Sequence, residues 1–254
     1  MSSLKKKTTV AYAWSMGGKL LKQGSSFIVG IFLARLLSPE QFGLIGMSMV
    51  FIAISQVFVD VGFSSALVQR NDNTDKRYSS IFWLNVSMGF LLFILINFLA
   101  KPIANFYDEP IIINIIHLLS LVYIFGSFNI IQGVILKKKL DFKTMATRSF
   151  YASLVSGGVA IWMAFNGYGV YSLVAKSLIG TFLNTLLLWT ATSWRPSFTY
   201  DHKEVKMLFG YSAYKFLSNF TATIMKKMDV LVVGKAFSTA DLGFYSRAFG
   251  LMDR

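Results

Sequence analysis

Apolar residues arrive in runs of about twenty, parted by short polar gaps, and this spacing governs everything else in the chain. The runs are Val10–Leu37, Gln41–Phe63, Ser80–Ala100, Ile111–Leu136, Met145–Asn166, Tyr168–Ala191 and Met207–Phe237. Wound as helices, each is long enough to cross a hydrocarbon layer ~30 Å thick. An eighth run opens at Leu242 and is cut off at Arg254. Short gaps predict an antiparallel bundle in which sequence neighbours pack side by side. The expected fold is therefore an all-α, polytopic transmembrane helical bundle.

The gaps alternate in charge. Lys5, Lys6 and Lys7 precede the first run, Arg70, Lys76 and Arg77 follow the second, Lys137, Lys138, Lys139, Lys143 and Arg148 follow the fourth, and Arg195, Lys203 and Lys206 follow the sixth. The intervening gaps lack such clusters. Basic loops stay on the cytoplasmic side, so the N terminus is expected inside and odd-numbered spans run outward. The net charge of +13 would otherwise suggest nucleic acid, but its position points instead to the phosphates of cytoplasmic-leaflet membrane lipids. A hydrophobic share of 54% against 15% charged residues agrees, because soluble domains carry about 25% charge. Lys5 to Lys7 lead into a long run without a compact apolar core and cleavage site, so the first span is expected to be retained rather than cleaved as a signal.

Ser38-Pro39-Glu40 punctuates the first hairpin. Pro39 cannot continue one helix but suits the first turn of the next, whose positive end Glu40 complements. Between Ser64 and Ser79, the segment Ala66 to Arg70 fits either a short interfacial helix or a solvated loop. Residues Lys235 to Phe244 (KAFSTADLGF) echo Arg35 to Leu44 (RLLSPEQFGL) at a shift of about 200 residues. Six spans separate the copies, so both enter the membrane in the same sense, as parallel repeats related by an axis along the membrane normal do. On this reading residues 1–206 form a first six-helix lobe with its cytoplasmic connection. Residues 207–254 begin a second lobe, and the chain is C-terminally truncated.

Charge inside a span costs at least ~2.5–3.5 kcal/mol at the bilayer centre, so such residues are expected to face a cavity or a partner. Lys19 and Lys22 share one face of the first span, where they serve a cavity or snorkel to the inner headgroups. Lys215, Asn219, Thr223, Lys226 and Lys227 form a polar stripe on the seventh, followed by Asp229, which could pair with the lysines. If the first and seventh spans are equivalent, both stripes face the midline and form a basic cavity for an anionic substrate. Asp60 lies at a depth where Lys19 or Lys22 could meet it, as a structural ion pair or, less expectedly, a coupling group. Lys176 serves the cavity or snorkels outward, and His117 is expected to hydrogen-bond between helices. The tryptophans sit near span ends, where interfacial anchoring accounts for them.

With no cysteine there is no thiolate nucleophile or disulfide, and the two histidines lack ligand spacing. No nucleotide-binding loop, dinucleotide fingerprint or metalloprotease motif occurs, so neither metal nor cofactor is expected, and no enzymatic role.

The stretch Phe32 to Phe51 (FLARLLSPEQFGLIGMSMVF) resembles the first-hairpin signature of bacterial polysaccharide exporters, the lipid-linked oligosaccharide flippases of the multidrug/oligosaccharidyl-lipid/polysaccharide superfamily. Asp60 to Arg70 (DVGFSSALVQR) and Ile81 to Asn85 (IFWLN) are similar to the segments that follow it in members exporting colanic or teichuronic acid units. The resemblance implies a two-lobed transporter of twelve to fourteen helices in the bacterial inner membrane. It would move undecaprenyl-diphosphate-linked repeat units outward by alternating access, in company with a polysaccharide polymerase and a chain-length partner. By position and chemistry it places Lys19, Lys22, Lys215, Lys226 and Lys227 on the substrate. Two other readings stand beside it. An ion-coupled drug or cation exporter of the same fold would use Asp60 and Asp229, the only deep carboxylates. A membrane glycosyltransferase or polymerase would want a large extramembrane loop.

Overall fold

The computed structural model describes residues 2–252, with side chains from Thr9 to Phe249, so the side chains of Lys5, Lys6 and Lys7 lie outside the described residues. The described residues are helical almost throughout: α1 (Ser2–Leu36), α2 (Pro39–Asp60), α3 (Phe63–Gln69), α4 (Asp75–Tyr107), α5 (Ile111–Leu119), α6 (Leu121–Ser127), α7 (Ile130–Lys138), α8 (Phe142–Phe165), α9 (Tyr171–Ala191), α10 (His202–Ala236) and α11 (Thr239–Met252). By length and composition α2, α4 and α9 can each cross a membrane, and α5–α6 with α7, bent by 41°, form a broken span or a re-entrant loop. Helices α1, α8 and α10 have the length, at 35, 24 and 35 residues, but are less apolar.

The fourth apolar run is not one helix. It breaks at Phe128–Asn129, and α9 satisfies the carbonyls that the break sets free. The Thr185 hydroxyl donates to the Phe125 carbonyl at 2.9 Å, and the Trp189 indole N–H donates to the Phe128 carbonyl at 2.9 Å. In hydrocarbon each such group left unmet costs several kcal/mol, so α9 is what makes the break tolerable.

Sequence neighbours do not pack as expected at either hairpin. Helix α1 lies along α8, and α11 lies along α2. Small residues decide this. Gly18 sits against Ala146, and Gly157 leaves room for the Val29 side chain, so the α1 and α8 backbones come close along a seam continued by Ala160 and Ala164. With lipid as the competing environment, such close packing governs which helices associate.

The α2–α11 contact is reciprocal. A methyl group on Gly43 would collide with the Thr239 carbonyl, and one on Gly243 would collide with the Pro39 carbonyl. Gly46 faces Ser246, its own counterpart, with 3.1 Å between a Cβ built there and the serine Oγ. Residues that meet their own equivalents mark a local two-fold axis. Both hairpin turns are capped alike: the Gln41 side chain accepts from the Ser38 N–H at 3.2 Å, and Asp241 accepts from the Ser238 N–H at 3.2 Å.

At the end where α4 and α10 begin, the connection over residues 192–201 is clamped to α4. Ser79 Oγ accepts from the Ser197 N–H, Ser80 Oγ accepts from the Asp201 N–H, and Trp83 donates to the Ser197 carbonyl. Lys76 pairs with Asp201 at 2.9 Å, and the buried Arg77 pairs with Glu204 at 2.5 Å. Trp83, Trp189 and Trp194 gather round Phe82 in edge-on contacts, so they pack the bundle end as well as mark it. The segment after α2 is a helix, α3, with Phe63, Ala66 and Leu67 buried, and the solvated-loop alternative falls.

Candidate functional site

Three cavities run into one another inside the bundle. The first, about 560 Å³, lies among α1, α2, α8, α9 and the break of the fourth span, with Lys22 and Lys176 in its wall. The second, about 600 Å³, shares Asn129, Ser177, Thr181 and Asn184 with the first and extends to Asp60 and Lys137. The third, about 340 Å³, lies between α2 and α10 and is lined by Gln56, Asp60, Asn219, Thr223 and Lys226. Gln56 and Asp60 line both the second and the third, so these two cavities adjoin at α2.

The walls are made by helical spacing. Ser149, Ser153 and Ser156 repeat at i, i+4 and i+7 on α8, as Ser177, Thr181 and Asn184 do on α9, so each set stands on one face. The two faces touch through Ser149, which donates to Asn184 Oδ1 at 3.5 Å. Thr181 turns its hydroxyl hydrogen back to the Ser177 carbonyl at 3.0 Å, leaving its lone pairs toward the cavity. Among the described residues, the first cavity has two lysines in its wall. A positive potential in a low-dielectric cleft favours an anion and screens poorly.

The structure sorts the charged residues named from sequence. Lys22 and Lys226 line the cleft. Lys176, for which cavity and headgroups were both open, lines it too. Lys215 sits beside it, its Cβ 3.2 Å from where a methyl on Gly62 would stand, in the tight α2–α10 crossing. Lys19, Lys22 and Lys226 are all exposed and Lys227 is half-buried, but Lys19 and Lys227 line none of the three cavities. The lysines of the first and seventh spans line different cavities: Lys22 of α1 the one against α8 and α9, and Lys226 of α10 the one against α2.

Two expected ion pairs are replaced by other contacts. The Asp60 carboxylate accepts from the Ser64 backbone N–H at 2.9 Å and from its hydroxyl, closing the α2–α3 turn, while α1 lies away on α8. Asp229 accepts the Tyr245 hydroxyl at 2.6 Å, tying α10 to α11 instead of meeting Lys226 or Lys227. Among the described residues, no carboxylate lies within ion-pair distance of Lys19, Lys22, Lys215, Lys226 or Lys227. His117 is exposed on α5, not placed between helices, and no group of His, Asp or Glu among the described residues is arranged to hold a metal ion.

Sequence reasoning missed Asn129 and the serine and threonine ladders. The signal was present, as hydroxyl and amide residues at i, i+4, i+7 on two successive spans. Uncharged hydroxyls are common in membrane helices, where they bond back to their own backbone, and so do not announce a cavity.

Fold and cleft together define a polytopic membrane bundle built round a basic, hydroxyl-rich interior. The chain belongs to the polysaccharide biosynthesis protein family, whose model matches residues 32–254. It is 24% identical over 200 residues to the teichuronic acid biosynthesis protein TuaB of Bacillus subtilis, covering 78% of this chain and 41% of that one. It is 22% identical over 258 residues to the lipopolysaccharide biosynthesis protein WzxC of Escherichia coli, covering 98% and 51%. The chain spans about half the length of the curated relatives it matches. Among solved structures, the lipid II flippase MurJ in an inward closed conformation superimposes with a TM-score of 0.75 at 18% identity, over 94% of this chain and 54% of that one.

Proposed function

We infer that this chain is part of a flippase that carries an undecaprenyl-diphosphate-linked oligosaccharide across the bacterial inner membrane for surface polysaccharide synthesis. The observation that carries the reading is the first cavity, where Lys22 and Lys176 stand among hydroxyls and amides. A diphosphate and a glycan cannot cross hydrocarbon unaided. The cleft offers the first of these cations and both of them hydrogen bonds, while the polyprenyl tail stays in lipid.

In this reading the N terminus is cytoplasmic, residues 1–206 make a first lobe, and α10 and α11 open a second that rocks about the α2–α11 seam. Lys22 and Lys176 take the diphosphate, Lys226 stands across the cleft, and Lys19, Lys215 and Lys227 are the less placed of the original set. A polysaccharide polymerase and chain-length partner would receive the product. Family membership and the shared fold support this; the particular lipid carrier rests on the chemistry of the cleft.

The reading is tested by restoring surface polysaccharide in an export-deficient strain. Wild-type restoration that is lost in a K22Q/K176Q variant, with membrane insertion intact, supports it; restoration undiminished in that variant overturns the role of the cavity. A cation exporter of the same fold is the second reading, because Asp60 lines two of the cavities. Cation efflux abolished by D60N, without effect on polysaccharide, would favour it.

A further inference from the structure

Asn129 and Asn184 stand where the first two cavities join. Their side chains are set in opposite senses. Asn129, in the break of the fourth span, gives an Nδ2 hydrogen to Thr185 Oγ1 at 3.1 Å, which leaves its Oδ1 as an open acceptor. Asn184 receives the Ser149 hydroxyl on Oδ1, which leaves its Nδ2 hydrogens as open donors. Thr185, spent on the Phe125 carbonyl, fixes the Asn129 amide in that sense.

An acceptor and a donor lining the same cavities suit a ligand that itself both donates and accepts. A phosphate offers acceptors only, so Asn129 Oδ1 would oppose one, and a metal ion would have no use for the Asn184 amide hydrogens. Adjacent hydroxyls of a sugar ring satisfy both. The two joined cavities, at about 560 and 600 Å³, each fall within the range of sites that hold a small organic group. Of these two cavities, Lys22 and Lys176 line only the first, Lys137 and Asp60 line only the second, and the two asparagines line both.

We propose that the Asn129–Asn184 junction is a sugar subsite that reads adjacent hydroxyls of the glycan, distinct from the anion-binding lysines. The proposal rests on the reading above, that the ligand is a glycan carried on a polyprenyl diphosphate. Bound there, the sugar places a hydroxyl hydrogen on Asn129 Oδ1 and takes one from Asn184 Nδ2, while Ser177 and Thr181 line the wall. Specificity follows because a ligand without hydroxyls leaves these amide atoms unpaired away from water.

The test uses the full chain in lipid nanodiscs, with undecaprenyl diphosphate and an undecaprenyl-diphosphate-linked disaccharide as two probes. Asn184→Ala is expected to weaken the disaccharide lipid roughly 3- to 10-fold, the worth of one or two neutral hydrogen bonds, and to leave the bare diphosphate lipid unchanged. Asn129→Ala should do the same. Because Asn129 also braces the break, N184A carries the test if N129A fails to insert. K22Q/K176Q should weaken both probes alike. Equal loss for both probes in N184A, or loss for neither, overturns the subsite while leaving the flippase reading standing. Wild-type protein that binds neither probe overturns both.

Discussion

Gly43 and Gly243, 200 residues apart, occupy equivalent places on opposite sides of one seam: each admits the backbone carbonyl found four residues before the other, Thr239 against Gly43 and Pro39 against Gly243. The sequence echo between the two hairpins is thereby a spatial relation as well. Its consequence is that α2 and α11 run in parallel, at a separation only glycine permits, with Gly46 and Ser246 beside the axis.

A cysteine pair at that axis should cross-link. The chain has no native cysteine, so G46C/S246C gives a clean background, and a Cβ built on Gly46 stands 3.1 Å from Ser246 Oγ, close enough for two thiols to meet. Oxidation should produce an intramolecular bond, read as a mobility shift reversed by reductant, and should arrest any transport that needs the seam to open. Gly43→Ala and Gly243→Ala should each reduce the yield of that cross-link, since the methyl meets backbone that cannot rotate away.

Lysines should matter by position, not by number. K226Q, which removes a cation from the wall shared with Asp60, should cut polysaccharide export at least several-fold. K227Q and K19Q, outside the three cavities, should leave it within about twofold, as substitutions away from buried or functional features usually do. Equal effects of K226Q and K227Q, measured as surface polysaccharide at matched protein level, would contradict this assignment.

Arg77 is the buried member of the clamp between α4 and α10, with side-chain exposures of 4% for Arg77 and 18% for Glu204. It also donates to the Asp72 carbonyl at 2.8 Å. Removing one partner strands the other, so R77A should destabilise the protein by about 3–5 kcal/mol, seen as a lowered thermal midpoint in detergent. The double variant R77M/E204L should recover part of that loss, because no charge is then left alone.

Acid should loosen the same clamp. The contact with Lys76 holds the Asp201 carboxyl below its ordinary range, as Arg70 does for Asp72. A carboxyl with a folded pKa lowered from its unfolded value contributes stability above the unfolded value, about pH 4, and loses it as pH falls through the folded one. Hydrogen exchange over residues 192–201 should therefore be flat from pH 8 to about 5, after correction for intrinsic rate, and rise below about 4. D201N should remove the Asp201 part of that rise.

Element positions were largely legible in the sequence because lipid demands long apolar helices and punishes charge within them. The Ser38-Pro39-Glu40 turn and the hairpin repeat read through, while the α3 segment was left open between helix and loop. The break at Phe128–Asn129 did not, because its sponsors, Thr185 and Trp189, lie on another span and hydropathy is blind to the bond they make. The pairing of α1 with α8 was hidden for a related reason: chain proximity pointed to α2, whereas the glycine seam at Gly18 and Gly157 is set by the three-dimensional match of two helices. Charge made Lys22 and Lys226 visible. It also promoted Lys19 and Lys227, since spacing along one helix does not say which neighbour that helix will face.

The most direct measurement is translocation itself: the flippase of which this chain is proposed to be part, in proteoliposomes, with an undecaprenyl-diphosphate-linked disaccharide carrying a headgroup label and a membrane-impermeant quencher. The account predicts protein-dependent movement of the headgroup across the bilayer that falls to background in K22Q/K176Q. Headgroup movement no faster than in protein-free vesicles, or undiminished in that variant, would contradict it.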